Sequence, residues 1–200
     1  MILARCQVRL GEPMNCAEAA TQCIQWANEH DQPLVALEAR FLMGYAYRDL
    51  PDLKLSRRYF QQTIEQARKL GNTRFEITSL NELGNVLALE RRFAQALALK
   101  DEALEKARNA NDTFLESIIT HDIGYTYSLN GEYEKALTMF RQYLEQQRKQ
   151  SNLYGVIIAQ LNMSNCYNRL GNIPQAMRLA ESARNLARDN QVTEAQEYVL

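Results

Sequence analysis

The chain has 200 residues, of which 46 % are hydrophobic and 24 % are charged, and its formal net charge is −1. These values are typical of a folded globular protein of one or two domains. The near-zero charge argues against binding to nucleic acid or to an anionic membrane surface, because both interactions need a basic excess.

The predicted elements are helices that repeat every forty residues. Residues 1–30 form a partial repeat that lacks most of its first helix, and full repeats follow at about 31–70, 71–110, 111–150 and 151–190. Each full repeat predicts two helices joined by a short turn, for example residues 74–90 and 92–109, so the two helices are antiparallel neighbours. Residues 192–200 begin a further first helix. Polar breaks such as LGNT separate the repeats, where Gly71 suits a helix C-cap and Thr73 and Thr113 suit the next N-caps.

Small residues recur at two aligned positions that lie twelve residues apart. The first position holds Gly44, Gly84, Gly124 and Ser164, and the second holds Ser56, Ala96, Ala136 and Ala176. A glycine inside a helix costs about 1 kcal/mol relative to alanine. Overfilling a packed contact costs about 1–3 kcal/mol, so the pattern indicates that the two helices of each repeat approach closely at these positions.

The order of small, aromatic and turn-forming residues resembles the tetratricopeptide repeat family. The segments that carry the resemblance are LGNVLALERRFAQAL (Leu83–Leu97), IGYTYSLNGEYEKAL (Ile123–Leu137) and SNCYNRLGNIPQAM (Ser164–Met177). The resemblance implies an all-α, right-handed α-solenoid of antiparallel helix pairs, forming one repeat domain over residues 1–200. The family's usual repeat has about 34 residues. The longer repeats here lengthen both helices and resemble those of bacterial signalling regulators.

In that architecture the first helices line the concave groove, and the groove holds a protein or peptide segment. The residues expected to face the groove are Glu38, Phe41, Tyr45, Arg48, Asn81, Glu82, Asn85, His121, Asp122, Tyr125, Asn162, Asn165 and Asn168. Asparagine recurs among them, and its amide can both donate to and accept from a peptide backbone. Two alternatives stay open for these asparagines: a solvated groove wall, and hydrogen bonds between repeats.

The charge of this predicted surface favours a neutral or basic partner. Arg48 is its only strong base, whereas Glu38, Glu82 and Asp122 are acidic, so capture of a C-terminal carboxylate is disfavoured. His121 beside Asp122, together with Glu82, suggests a metal or acid–base site only weakly. We expect no cofactor, no metal and no enzymatic activity, because phosphate-binding, nucleophile and metal motifs are missing from the sequence.

The four cysteines form no CxxC pair, so they are interpreted as packing residues of a reduced, cytoplasmic protein. No apolar run approaches about 18 residues, which predicts no membrane span. Neither end of the array carries the polar outer face that an end repeat normally needs. We therefore expect a fragment of a longer signalling or transcription protein. The alternative is a structural array that self-associates through its open ends.

Overall fold

The computed structural model describes residues 13–190 and residue 192. Within this part of the chain every regular element is an α-helix of 17 residues. The helices are α1 Pro13–Glu29, α2 Pro33–Asp49, α3 Leu53–Lys69, α4 Thr73–Leu89, α5 Phe93–Asn109, α6 Thr113–Leu129, α7 Tyr133–Lys149, α8 Leu153–Arg169 and α9 Ile173–Asp189. Two such helices and two short turns account for the forty-residue period. The predicted first helix at 192–200 lies almost wholly outside the described residues.

The short turns have a common hydrogen-bonding pattern, shown clearly between α3 and α4. Gly71 is left-handed with φ 63°, and its N–H donates to the Arg68 carbonyl while the Asn72 N–H donates to the Ala67 carbonyl. This pair of bonds is a Schellman motif, which satisfies carbonyls that the helix end leaves unpaired. Gly71 therefore has the predicted role of a helix C-terminal residue.

The N-caps lie one residue earlier than the sequence pattern suggested. Asn72 accepts a hydrogen bond from the Phe75 N–H, and Asp112 accepts one from the Leu115 N–H. The prediction of Thr73 and Thr113 as N-caps is wrong: each is the first residue of its helix. The turn closes one residue sooner because the residue that completes the Schellman motif also caps the following helix.

The chain divides into two compact units, Met1–Ala110 and Asn111–Leu200. This boundary falls between the third and fourth predicted repeats. In the first unit, α1 packs on α2, α2 on α3, α3 on α4 and α4 on α5; in the second, α6, α7, α8 and α9 pack consecutively in the same way. Each helix buries one side against its neighbours in sequence, as expected for stacked helix pairs.

The glycines inside the helices mark close contacts between paired helices. A Cβ built on Gly44 would lie 2.5 Å from the Phe60 ring, and one on Gly124 would lie 2.8 Å from the Phe140 ring. A Cβ on Gly84 would lie 2.9 Å from the Lys100 side chain. The predicted reason for the repeated glycine is therefore confirmed.

The core of each unit consists mainly of small and medium apolar side chains. In the first unit, Ala20, Cys23 and Met43 belong to one buried cluster against which Tyr47 packs. In the second, the core includes Phe140 and Cys166, with Tyr127 and Tyr167 packed against it. These tyrosines therefore stabilise the core of their own unit by packing.

The cysteines of the described part of the chain are not equivalent. Cys16 and Cys166 are free and buried, and burial raises the pKa of both thiols. Both have the expected character of apolar packing residues. Cys23 is also buried but is disulfide-bonded, which differs from the expectation of a reduced thiol. Cys6 lies outside the described residues.

Candidate functional site

In the first unit, the predicted site residues of α2 form an aromatic cluster with a charged edge. The Phe41 ring packs edge-on against Tyr45 at 4.9 Å and against Phe75 at 5.4 Å, measured between centroids. The guanidinium of Arg48 lies over the Tyr45 ring at 4.7 Å. Glu38 lies half-buried on the same helix. Much of the Phe41 and Tyr45 surface is thus used in packing within the unit.

The polar residues predicted on α4 are held by ionic and hydrogen bonds. Glu82 accepts from the Arg48 guanidinium at 2.9 Å and from the Asn85 amide at 3.3 Å. Asn81 is buried and accepts from the Lys100 ammonium at 3.2 Å, and the same ammonium donates to Asn85. In this unit Asn81 and Asn85 therefore accept hydrogen bonds from Lys100 of their own repeat, which differs from the hydrogen bonds between repeats that the sequence left open.

The second unit contains an open groove of about 840 Å³. Predicted site residues from two first helices line it: His121, Tyr125, Asn162, Asn165 and Asn168. Because the α8 residues among them are spaced by three, they follow one side of the helix. The polar side of this groove therefore comes from α6 and α8.

A short chain of hydrogen bonds orients one of these amides. His121 Nδ1 lies 3.1 Å from Asp122 Oδ1, and His121 Nε2 lies 2.9 Å from Asn162 Nδ2. An amide nitrogen only donates, so His121 Nε2 accepts from Asn162, and His121 Nδ1 lies within hydrogen-bond distance of the Asp122 carboxylate. The carbonyl oxygen of Asn162 is then available as an acceptor at the groove wall.

Two other amides of the groove are exposed. The side chains of Asn165 and Asn168 have no hydrogen-bond partner among the described residues. Each can therefore offer a donor and an acceptor to a bound molecule without breaking an existing contact.

Apolar and aromatic side chains form the rest of the groove. Tyr125 is 49 % exposed and Met177 is 60 % exposed, and Ile158 and Leu161 of α8 also line the groove. A concave surface that combines apolar area with a few polar groups is the usual form of a ligand site.

The groove also contains residues of second helices, which were not among the predicted site residues. Tyr143 on α7 lies beside His121, with 4.9 Å between ring centroids, and Ile173 and Met177 come from α9. Burial raises the pKa of Tyr143, and the nearby charge of Asp122 adds to the effect, so the phenol stays protonated. The sequence does distinguish Tyr143 from the corresponding residues of the other repeats. Those residues are Thr63, Ala103 and Ala183, and all are smaller than Tyr143.

Two further observations bear on the chemistry of the described residues. No group of three or more His, Cys, Asp or Glu side chains within them is arranged to hold a metal ion. None of their helices has the length and apolar character needed to cross a membrane.

Together, paired helices of constant length, Schellman turns and close small-residue contacts define an α-helical repeat protein of the solenoid class. The sequence pattern of the tetratricopeptide repeat matches residues 75–149 and 115–189. The chain belongs to the tetratricopeptide repeat family. No curated protein sequence matches it significantly.

Solved structures have the same fold at low sequence identity. The apo form of RapI is similar with a TM-score of 0.80 and 17 % identity over 94 % of this chain and 69 % of that one. A Rap protein complexed with Competence and Sporulation Factor has a TM-score of 0.82 and 14 % identity, covering 94 % of this chain and 52 % of that one.

A third similar structure is a STAND signal transduction ATPase from Pyrococcus horikoshii that has a tetratricopeptide repeat sensor. Its TM-score is 0.78 at 18 % identity, and the similarity covers 94 % of this chain and 29 % of that one. At such identities the similarity establishes the fold alone.

Proposed function

We propose that this chain is a non-enzymatic binding module that holds a peptide or an extended protein segment in the groove of its second unit. The observation that carries the proposal is the pairing of free amides with apolar surface in one groove. Asn165 and Asn168 offer hydrogen bonds to a peptide backbone, and the apolar surface around Ile158 and Leu161 accommodates side chains. A site of this kind combines hydrogen bonds to the peptide main chain with apolar surface for its side chains.

The groove suits a neutral segment, and a basic one is tolerated. None of its lining residues is Lys, Arg, Asp or Glu, and the nearby carboxylate of Asp122 accepts from His121. In the first unit, Glu82 is paired with Arg48. An acidic segment would find no cation along the groove to offset its desolvation.

We further propose that this module regulates a larger bacterial signalling or transcription protein. Support comes from the similar Rap protein, whose structure is a complex with Competence and Sporulation Factor, and from the STAND protein, whose repeats are a sensor. Binding in the groove would change how this module contacts an adjoining domain.

The test begins with selection of peptides. A phage-displayed library of random heptapeptides is panned against the full chain, and enriched peptides are measured by calorimetry. Removing both exposed amides, in Asn165→Ala/Asn168→Ala, should raise Kd about tenfold, because each neutral hydrogen bond contributes about 0.5–1.5 kcal/mol. Asn185→Ala is the matched control, since Asn185 is an exposed amide of α9 that does not line the groove.

Two results would contradict the proposal. One is a library that yields no peptide with saturable binding, and the other is an unchanged Kd in the double variant. Light scattering over a range of protein concentrations tests the alternative function. The molar mass of a self-associating array would rise with protein concentration, whereas that of a binding module would not.

A further inference from the structure

A second groove lies in the first unit and contains an arginine without an acidic partner. Arg40 is on α2, at the position that Leu80, Thr120 and Gln160 occupy in the other repeats. Its side chain is half-buried, and burial lowers the pKa of its guanidinium. Charged groups removed from water are normally paired, because desolvation of an unpaired charge is costly.

The surroundings of Arg40 leave most of its donors unused. Among the described residues its guanidinium has one hydrogen bond, from Nη1 to Gln66 Oε1. Gln66 is in turn fixed by donation from its Nε2 to the Pro33 carbonyl at 3.0 Å. No carboxylate of the described chain lies within ion-pair distance of Arg40, whereas Arg48 and Arg57 each contact a glutamate at 2.9 Å. A guanidinium has five N–H donors, arranged to match a carboxylate in a bidentate pair.

The groove around Arg40 is lined by side chains of three helices. It has a volume of about 680 Å³ and is bordered by α1, α2 and α3. The charged lining side chains are Arg40, Lys69 and Glu65, so the net charge is positive by one. Tyr59 forms part of the wall and is stacked on Tyr47 at 5.5 Å between ring centroids.

We propose that this groove of the first unit binds an acidic peptide segment of a partner protein, with a carboxylate accepting a bidentate pair of hydrogen bonds from Arg40. Charge complementarity selects the occupant, since a carboxylate supplies the missing acidic partner. A segment fits better than a small anion because the wall also offers amides along its length, including Asn28 and Gln62. This groove shares no residue with the groove of the second unit, so a result that contradicts one proposal does not affect the other.

Fluorescence polarisation of the full chain with two labelled probes tests the proposal. The probes are hexaglutamate and hexaglutamine, both with an amidated C-terminus. Hexaglutamate should bind at least about tenfold more tightly, and its affinity should fall as salt rises. Equal affinity for the two probes would overturn the proposal. Full competition by free glutarate at an equal concentration of carboxylate would also overturn it, because the site would then recognise a small anion.

Variants assign the effect to Arg40. Arg40→Gln should weaken hexaglutamate binding about tenfold, and Arg40→Lys should recover only part of it, because an ammonium does not form the bidentate pair. Arg184→Gln is the matched control, since Arg184 is an exposed arginine of α9 outside this groove. Loss of binding in the control variant alone would contradict the assignment.

A measurement on the unmodified protein covers the case in which Arg40→Gln does not fold. The arginine Nε–H signals of the ¹⁵N-labelled chain are followed by NMR during titration with hexaglutamate. The signal that belongs to Arg40 should shift with saturation, whereas the Arg184 signal should not. Saturation without a change at Arg40 would refute the proposal.

Discussion

The ammonium of Lys100 donates to the Asn81 side chain at 3.2 Å in the interior of the first unit. Lys100 has 0 % exposure, and the residues at its aligned position in the neighbouring repeats are Phe60 and Phe140. Lysine is almost never fully buried unless it is paired. A buried lysine can therefore occupy the position that holds phenylalanine in the neighbouring repeats, because the asparagines of α4 accept hydrogen bonds from its ammonium.

This relationship predicts that Lys100→Met destabilises the chain by about 1–3 kcal/mol. Methionine fills a similar volume, but the buried Asn81 oxygen loses its hydrogen bond from the ammonium, and removing one partner of a buried hydrogen bond costs about that much. The free energy of unfolding from urea denaturation measures the change. Lys54→Met is the control, because Lys54 is exposed and should change stability by less than about 0.5 kcal/mol.

The double variant Lys100→Met/Asn81→Leu sharpens this prediction. Replacing both partners with apolar groups of similar shape removes the acceptor together with its donor, so the double variant should be more stable than Lys100→Met alone. If the two substitutions were simply additive, the hydrogen bond would not be the cause of the loss.

The helix glycines predict a ranking of alanine substitutions. Gly44→Ala should destabilise the chain by about 1–2 kcal/mol, because the added methyl would meet the rigid Phe60 ring and the clash exceeds the gain of about 1 kcal/mol in helix propensity. Gly84→Ala should also destabilise the chain but by less, since its closest contacts, 2.9 Å to Lys100 Cγ and 3.1 Å to the Ala96 carbonyl oxygen, overlap less than the 2.5 Å contact at Gly44. Thermal unfolding followed by circular dichroism gives the order, and a more stable Gly44→Ala variant would contradict it.

Most of the fold could be predicted from the sequence because its features recur. The small pair Gly84 and Ala96, the turn glycine Gly71 and the apolar spacing all appear in several repeats, so each repeat supports the others. The N-caps were misplaced because threonine and asparagine both suit the position, and only the turn geometry decides between Asn72 and Thr73.

The site was less predictable, since it depends on side chains that reach across from other helices. The groove wall of Asn162, Asn165 and Asn168 follows from helical spacing alone. The pairing of Asn81 and Asn85 with Lys100 depends on the length and direction of one lysine on another helix. Tyr143 contributes from a second helix, and only its size relative to the aligned residues marked it.

Stability should fall in acid through Glu76. Burial opposes ionisation of this carboxyl, but hydrogen bonds from Arg68 at 2.8 Å and Lys106 at 3.1 Å outweigh the burial, and its pKa lies below the ordinary value. A carboxyl with a lowered folded-state pKa contributes stability above its unfolded pKa, and the contribution is lost as pH falls through the folded-state pKa. The free energy of unfolding should therefore decrease between about pH 5 and pH 3.

Glu76→Gln should flatten that part of the pH profile, with an effect on the order of 1 kcal/mol because Arg68 is half-exposed and the pair is screened. Glu105→Gln serves as the control, since Glu105 is an exposed carboxyl of α5 without an ion pair among the described residues. If the free energy of unfolding of Glu76→Gln fell in acid as much as that of the unmodified chain, other carboxyls would be the cause of the pH dependence.

The turns between repeats offer a stabilising substitution. Ser151 and Gly71 occupy the same aligned position, with φ 54° and 63°, and a left-handed backbone costs a residue with a Cβ about 1–2 kcal/mol. Ser151→Gly removes that strain. Glycine also raises the conformational entropy of the unfolded chain, however, which lowers stability by about 0.4–1 kcal/mol. The net expectation is a gain of about 0.5 kcal/mol in unfolding free energy. Asn111→Gly is the control and should change stability little, since asparagine tolerates φ 53°. A lower free energy of unfolding in Ser151→Gly would show that the backbone at Ser151 is unstrained.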